Sequence, residues 1–464
     1  MLTSPRPIVL LLVCVLAAGC LNSQLTIMQN SPVSADDDCG TGGEEIPYDG
    51  IDNDCDASTP DDDLDGDGYA LVDDCDDEDV SISPSQEEMC NERDHDCDGE
   101  VKRSGLVSHE SDGVWINLSA DFTSGTYASP TSIELSDAGV VHVCEGTYYT
   151  HLTLSADITV VGTAGAEATV LSGGDVDTVV RVGSGLTVGL SGLTITQGHS
   201  SSGGGMRLQT NSYATVSDSV FSNNSANYGG GMTILDESSA DVSGTTFENN
   251  SADDHGAGMY LYSSSAMVSD SVFSNNFGRI GGGMFIHGSS AEVSSTTFED
   301  NFATSGGGGL YLYEYSDATV SDSVFSNNSV TYYGGGMFID LYSSADVDGT
   351  TFEANSATYS GGGLFFYEYC DATVSDSVFS NNSAASGGGT AIFLNSSVDV
   401  STTSFENNSA SAGGGMALDS SSGTDGTDVD FVDNDPDDID KNGSSYSFGT
   451  GESFTCRANH SVCD

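Results

Sequence analysis

The chain repeats itself. Phe-x-Asn-Asn, or a close variant, returns at Phe221, Phe247, Phe273, Phe298, Phe325, Phe352, Phe379 and Phe405. A glycine run followed by Met or Leu returns in step, ending at Met206, Met232, Met259, Met284, Leu310, Met337, Leu364 and Met416. The period is about 26 residues, in the range that marks solenoids, where each coil buries its apolar face only against its neighbours. This constrains the fold to a repetitive stack. It constrains function less, because a solenoid is a scaffold whose activity lies in surfaces grafted onto it.

Within a coil, Met232, Ile234, Ala240, Val242 and Phe247 alternate with polar residues, the period-two pattern of strands with one buried face. Each coil is therefore expected to add one rung to three parallel sheets, about 4.8 Å from the next. Asn224, Asn250, Asn276, Asn301, Asn328, Asn355, Asn382 and Asn408 fall in register and are expected to stack as an amide ladder, satisfying backbone groups that a buried turn would leave unpaired. The glycine triplets supply positive φ and close stacking at another turn. A calcium β-roll would need glycines every nine residues, which are absent. The residue after each Phe alternates between Ser and Glu from Ser222 and Glu248 to Ser380 and Glu406. Like charges on adjacent strands repel, so the alternation spaces the carboxylates by two rungs and makes the unit a pair of coils.

The segment Val140–Tyr148 followed by Ile158–Gly162 resembles the opening coils of right-handed parallel β-helix proteins. The Gly-Gly-Gly-Met and Phe-x-Asn-Asn repeats resemble those of polymorphic outer-membrane proteins. The resemblance implies an all-β, right-handed parallel β-helix over residues 115–440, surface-exposed and commonly adhesive. Members of that family usually end in a membrane barrel. None is read here, so another anchor is expected. Residues 441–464 read as a C-terminal cap clipped by Cys456 and Cys463, which lie close in sequence.

That anchor is sought at the other end. Arg6, an apolar run from Ile8 to Ala18, and Ala17-Ala18-Gly19-Cys20 resemble a bacterial lipobox. Residues 1–19 would be a signal peptide, Cys20 the lipidated first residue, and 20–35 a tether. An ordinary secretory signal is the alternative. Either reading exports the chain into a compartment where disulfides form. The formal net charge is −62, with only 9 Lys and Arg. Such a surface repels nucleic acid and attracts divalent cations.

Residues 36–105 concentrate acids and cysteines. Asp63, Asp65, Asp67, the carbonyl of Tyr69, and Asp74 have the spacing of a Ca²⁺ loop, with Gly68 at its sharp turn. Asp52, Asp54 and Asp56 precede it, and Asp94, Asp96 and Asp98 follow. The Asp-x-Asp-Cys-Asp phrases resemble a metal-binding (MopE-type) motif of bacterial surface proteins, which implies that these acids are ligands too. A solvated acidic linker is the alternative. The module holds five cysteines, Cys39, Cys55, Cys75, Cys90 and Cys97. Cys144 in an early coil would make the number even, so a bond from module to solenoid is expected. Cys370 stands where Ser316 stands two coils earlier, and is expected outward and unpaired.

Three functions compete. A calcium-dependent polysaccharide lyase or hydrolase would need a cationic base or paired carboxylates in distinct settings. No Lys occurs between Lys102 and Lys441, Arg181 and Arg207 read as a surface pair bridged to acids, and no acid stands out in an apolar setting. The histidines read as surface residues. The chain is therefore expected not to be an enzyme. A purely structural role is the second possibility. The third is binding of a glycan or a surface protein by an adhesin-like face. Two columns after the glycine runs are expected outward: Tyr260, Phe285, Tyr311, Phe338 and Phe365 in the first, Tyr262, Tyr313 and Tyr367 in the second. An exposed aromatic band marks an interaction site, unless the rings merely cover one another.

Overall fold

In the computed structural model, residues 63–419 and 421–441 are described, together with the strands Ser445–Phe448 and Cys456–Arg457. Cys20, Cys39, Asp52, Asp54, Cys55, Asp56 and Cys463 lie outside the described residues, as does the side chain of Cys456. The chain divides into two compact units, Met1–Ala70 and Leu71–Asp464. The second contains a parallel β-solenoid of about 11 turns.

A representative coil runs Met232–Leu235, Ser239–Ser243, Thr246–Glu248 and Ser251–His255. In the coil above, Met259, Ser265, Val272 and Phe277 lie opposite Met232, Ser239, Thr246 and Ser251, all in parallel register. The middle coils thus carry four strands, not the three expected. The sequence after each ladder asparagine is short and Ser-rich, but its inward Ala303, Val330 and Ala357 form a small apolar cluster that holds the extra strand in place. Among the described residues the sheets have 15, 25 and 7 strands. The largest joins two of the four columns through the long strand Gly146–Leu154, which pairs with both Thr169–Ser172 and Val180–Val182.

The core follows from the repeat. Phe221 to Phe431 stack ring on ring at 4.6–5.0 Å with interplanar angles of 2–11°, the spacing the strands impose. Beside them runs the amide ladder. The backbone N–H and Nδ2 of Asn224 both donate to Oδ1 of Asn250, at 3.0 and 3.1 Å, and Nδ2 also reaches the carbonyl of Ile195. The pattern repeats to Asn408, and Asn434 extends it. The two asparagines of the motif have separate tasks. The second builds the ladder. The first takes the left-handed turn conformation, as at Asn223, Asn249 and Asn327, with φ of 53–55°, which Asn tolerates better than most residues. The glycine three residues before each coil's first inward Met or Leu is left-handed too, as at Gly229, Gly307 and Gly334, with φ of 61–68°. The glycine just before that Met or Leu has no room for a side chain: a Cβ on Gly336 would lie 2.6 Å from the carbonyl oxygen of Gly363.

At the N-terminal end, Val107–Ser111 and Val114–Asn117 form an antiparallel hairpin that adds to Gly139–Val143. Inside the span 115–440 expected to be β-helix, the first residues instead include a short helix, Ser119–Thr123, whose Phe122 is buried edge-on against Tyr148. It covers core side chains of the first coil. Ser445–Phe448 and Cys456–Arg457 continue two of the parallel columns. The expected bond from module to solenoid is present as Cys90–Cys144, and Cys75 pairs with Cys97. Cys370 is free but buried, not outward. It belongs to a column of turn serines whose hydroxyls close onto nearby carbonyls, and its Sγ reaches the carbonyl of Tyr367 at 3.2 Å as Ser316 Oγ reaches that of Tyr313. Burial pushes its thiol up to about 12.

Candidate functional site

From Asp63 onward the acidic segment folds as loops around its own carboxylates. Asp63 is buried, and its two oxygens accept from the amides of Gly66, Asp67 and Gly68 at 2.7–3.1 Å. Asp65 and Asp67 accept from the amides of Asp67 and Tyr69. These turns bring ligand oxygens of Asp63, Asp65 and Asp67 within 4.8 Å of one another. Oδ2 of Asp67 is buried without a hydrogen-bond partner, as expected of an oxygen whose partner is a cation. Tyr69 and Asp74 complete the expected loop in sequence. Asp74 lies in the second compact unit, where it sits beside Cys75 and Cys97. Those sulfurs are oxidised to a disulfide, so they are not thiolate ligands.

A third group joins Glu88 to Asp94 and Asp96. Glu88 Oε1 accepts from the amide of His95 at 2.9 Å, and Asp94 Oδ2 from that of Gly99 at 2.9 Å, while Asp94 Oδ1 is buried and unpartnered. Glu88 was not singled out in the sequence, since it stands outside the Asp-x-Asp phrase and is folded in by the loop. Asp98, expected in this set, is exposed and not part of the group. Asp52, Asp54 and Asp56 lie outside the described residues.

The aromatic columns have the expected register: Tyr260, Phe285, Tyr311, Phe338 and Phe365 are paired neighbours, as are Tyr262, His287, Tyr313, Asp340 and Tyr367. Their exposure differs from expectation. The first column points away from the main core but is buried, with 1–8% of each residue accessible, and forms a second apolar cluster. Residues just before the glycine turn fold over it. Tyr228 packs on Tyr260, His255 on Phe285 and Tyr333 on Phe365, with ring centroids 4.7–5.6 Å apart. These covering residues belong to the fourth strand and its edge, which periodicity did not announce. In the second column, Tyr262 is exposed and Tyr313 and Tyr367 are half-buried.

Outward rings that the sequence reading missed lie nearby. Tyr315, Tyr342 and Tyr369 are exposed and stack at 5.3 and 5.0 Å, and Tyr332 stacks on Tyr359 at 5.5 Å. The signal was present as Tyr at equal positions of three consecutive coils. Tyr315, Tyr342 and Tyr369 occupy left-handed turn positions with φ of 58–61°, where strand alternation does not apply.

Between these stacks lies a recess of about 380 Å³, lined by Tyr311, Tyr332, Tyr333, Phe338, Asp340, Phe365 and Tyr367 among others. Asp340 is buried in this apolar setting, which corrects the expectation that no acid stands out. Tyr311 Oη donates to Asp340 Oδ2 at 2.6 Å, and Oδ1 is buried without a partner. The amide of Leu341 lies close by but donates to the carbonyl of Tyr367. Burial pushes the carboxyl up to about 6 against the opposing bond from Tyr311. His255, between Tyr228 and Phe285, is not an ordinary surface histidine either: burial, with Arg279, pushes it down to about 4. Arg181 and Arg207 are paired neighbours as expected, and Arg181 is bridged to Asp177.

With this geometry in place, comparison with known proteins gives one decisive match. The family model for the right-handed beta helix region matches residues 170–304 and 281–435, more than half of the chain. The chain belongs to the right-handed β-helix family. A second model, described as "Putative metal-binding motif", matches residues 35–61 and 74–102 of this β-helix protein, the latter including Glu88, Asp94 and Asp96. No curated protein matches it. Among solved structures it is similar to the catalytic unit of a GH87 alpha-1,3-glucanase from Streptomyces thermodiastaticus, at 12% identity and a TM-score of 0.34, over 68% of this chain and 62% of that one. It is also similar to the Dettilon tailspike protein, at 10% identity and a TM-score of 0.31, over 69% and 61%. The A-module of the Azotobacter vinelandii mannuronan C-5 epimerase AlgE6 aligns at 12% identity and a TM-score of 0.23, over 72% and 94%. The β-helix protein spans about three fifths of the length of the first two. Likeness at this level says nothing about activity.

Proposed function

We propose that this is an exported, surface-displayed β-helix protein that binds a glycan or a partner protein through the tyrosine face of its middle coils. The observation that carries the reading is the concentration of outward rings on three consecutive coils: Tyr315, Tyr342 and Tyr369 in one stack, Tyr332 and Tyr359 in another, with Tyr313 and Tyr367 beside them. Flat aromatic surfaces of this kind suit sugar rings and apolar side chains. The disulfides Cys75–Cys97 and Cys90–Cys144 support an oxidising compartment, and the lipobox at Cys20 supports a lipid anchor in the outer membrane. Among the described residues no helix is long and apolar enough to cross a membrane.

The acidic segment is read as a Ca²⁺ module. Clustered carboxylates with unpartnered oxygens suit a hard cation, and a bound ion relieves their mutual repulsion. The β-helix itself is read as non-catalytic: Asp340 has an enzyme-like setting, but the recess it lines offers no second carboxylate and no Lys or Arg.

Retention on a glycan array and on cell-surface extracts tests the reading. The wild type should be retained. Tyr315→Ser/Tyr342→Ser/Tyr369→Ser, whose changes leave the core ladders untouched, should lose about tenfold or more, since each ring contributes about 0.5–1.5 kcal/mol. Equal retention by the folded triple variant, or no retention of the wild type by any surface, would return the protein to a structural role.

A further inference from the structure

The recess beside the tyrosine face has a chemistry of its own. It exists because one column is broken. The residues before the glycine turn run Tyr228, His255, Ile280, Gly306 and Tyr333 in register. Each side chain in that column lies over the buried rings, except at Gly306, which has none. A Cβ there would come within 2.7 Å of Cδ1 of Phe338. In the next coil the chain between Asn328 and Gly334 holds five residues, one more than between Asn224 and Gly229, and it carries Tyr332 and Tyr333 to the rim. A gap and a raised rim together make the cavity.

At its edge stands Asp340, with Oδ2 engaged by Tyr311 and Oδ1 buried and unpartnered. The lining supplies no cation. An occupant that fits must therefore do three things. It must donate a hydrogen bond to Oδ1, because a buried acceptor without a donor is costly. It must bring positive charge to a carboxylate taken out of water. It must rest against aromatic faces, which attract cations. A neutral sugar donates a hydroxyl and can rest on the rings, but it brings no charge to the carboxylate. A quaternary ammonium meets the last two but has no N–H. A protonated primary amine on an aliphatic chain meets all three, and the net charge of −62 raises the local concentration of cations.

We infer that this recess is a binding site for a protonated aliphatic primary amine, the group a lysine side chain carries, with Asp340 as its counter-ion and Tyr333, Phe338, Phe365 and Tyr367 as its aromatic walls. The inference rests on the reading of this face as a contact surface and names the group by which a partner would be anchored there. The groups that face Asp340 from the packed strands and turns are Tyr311, Tyr313, Tyr367, Glu368 and Cys370. Tyr311 and Cys370 are pushed up by burial and stay neutral near pH 7. Amine binding should therefore weaken as the solution is acidified through about pH 6, where the empty site's carboxyl protonates.

The test is ligand-detected NMR titration of the full chain with n-butylamine, tetramethylammonium and n-butanol, with glucosamine and glucose as separate arms. Butylamine should bind most tightly, tetramethylammonium more weakly and butanol least. Asp340→Asn, which preserves size and can still accept from Tyr311, should weaken butylamine by about tenfold or more. Tyr333→Leu keeps an apolar wall, removes the ring and should weaken it several-fold. Glucosamine binding better than butylamine would move the amine from an aliphatic chain to a sugar and overturn that part of the assignment. Butanol binding as well as butylamine, or full affinity in the folded Asp340→Asn variant, would overturn the site. Loss of the site leaves glycan retention by the outer tyrosine stack unaffected, so the two failures are distinguishable.

Discussion

At the scale of single residues, position in the coil decides chemistry. Asp340 and Tyr313 are neighbours in one column, yet Asp340 is buried and Tyr313 is half-buried. Period two told that both point away from the main core. It did not tell that the first column would be roofed by Tyr228, His255 and Tyr333, because the roof belongs to a short Ser-rich segment whose strand character comes from stacking rather than from its own pattern. The consequence is a pair of opposed titrations. The ordinary carboxyl value of 3.8 is pushed up to about 6 at Asp340. The folded state therefore holds a proton that the unfolded chain releases, and stability falls as pH rises through that window. At His255 the ordinary 6.5 is pushed down to about 4. There the unfolded chain takes up a proton that the folded state refuses, and stability falls as pH drops through its window. Thermal unfolding between pH 4 and 8 should show Asp340→Asn gaining on the order of 1–2 kcal/mol over wild type near pH 7 and nothing near pH 4. His255→Gln should lose less stability than wild type on acidification. Parallel pH profiles for all three proteins would contradict these environments.

At the scale of elements, the ladders and the acidic loops contrast. The asparagine ladder was legible residue by residue, because it depends on register and the period sets register. Asn224 to Asn408 occupy the expected stack. The serine and threonine turns that run beside it were not read, although they hold the same logic: Thr350 Oγ1 closes onto the carbonyl of Asp348, and its amide donates to Ser377 Oγ. Cys370 was misread for that reason. The acidic loops have no repeat to fix them. Their spacing identified Asp63, Asp65 and Asp67, but Glu88 joins Asp94 and Asp96 only through folding. If these groups hold Ca²⁺, calorimetry should show heat on calcium addition, and calcium should protect residues 36–105 from proteolysis. Asp63→Asn should lower the measured stoichiometry by one site, and Asp94→Asn should act independently. Unchanged proteolysis with and without chelator would leave the acids as a solvated segment.

At the scale of the whole molecule, the stack is regular and its surface is not. The Phe and Asn columns run from Phe221 and Asn224 to Phe431 and Asn434 with little change. The outward tyrosines cluster where the coils lengthen, between Tyr313 and Tyr369. A scaffold under no functional demand has no reason to concentrate solvent-facing rings on a few coils, and that concentration is the basis for the binding claim. Tyrosine-selective labelling of the intact protein tests it most directly. The protein would be labelled free and again with the glycan or surface fraction it retains, and each site read by mass spectrometry. Tyr315, Tyr342 and Tyr369 should be protected on binding, while Tyr127, exposed to a similar degree but far along the chain, should label equally in both states. Equal labelling of the middle-coil tyrosines in both states, with protection elsewhere, would contradict the account.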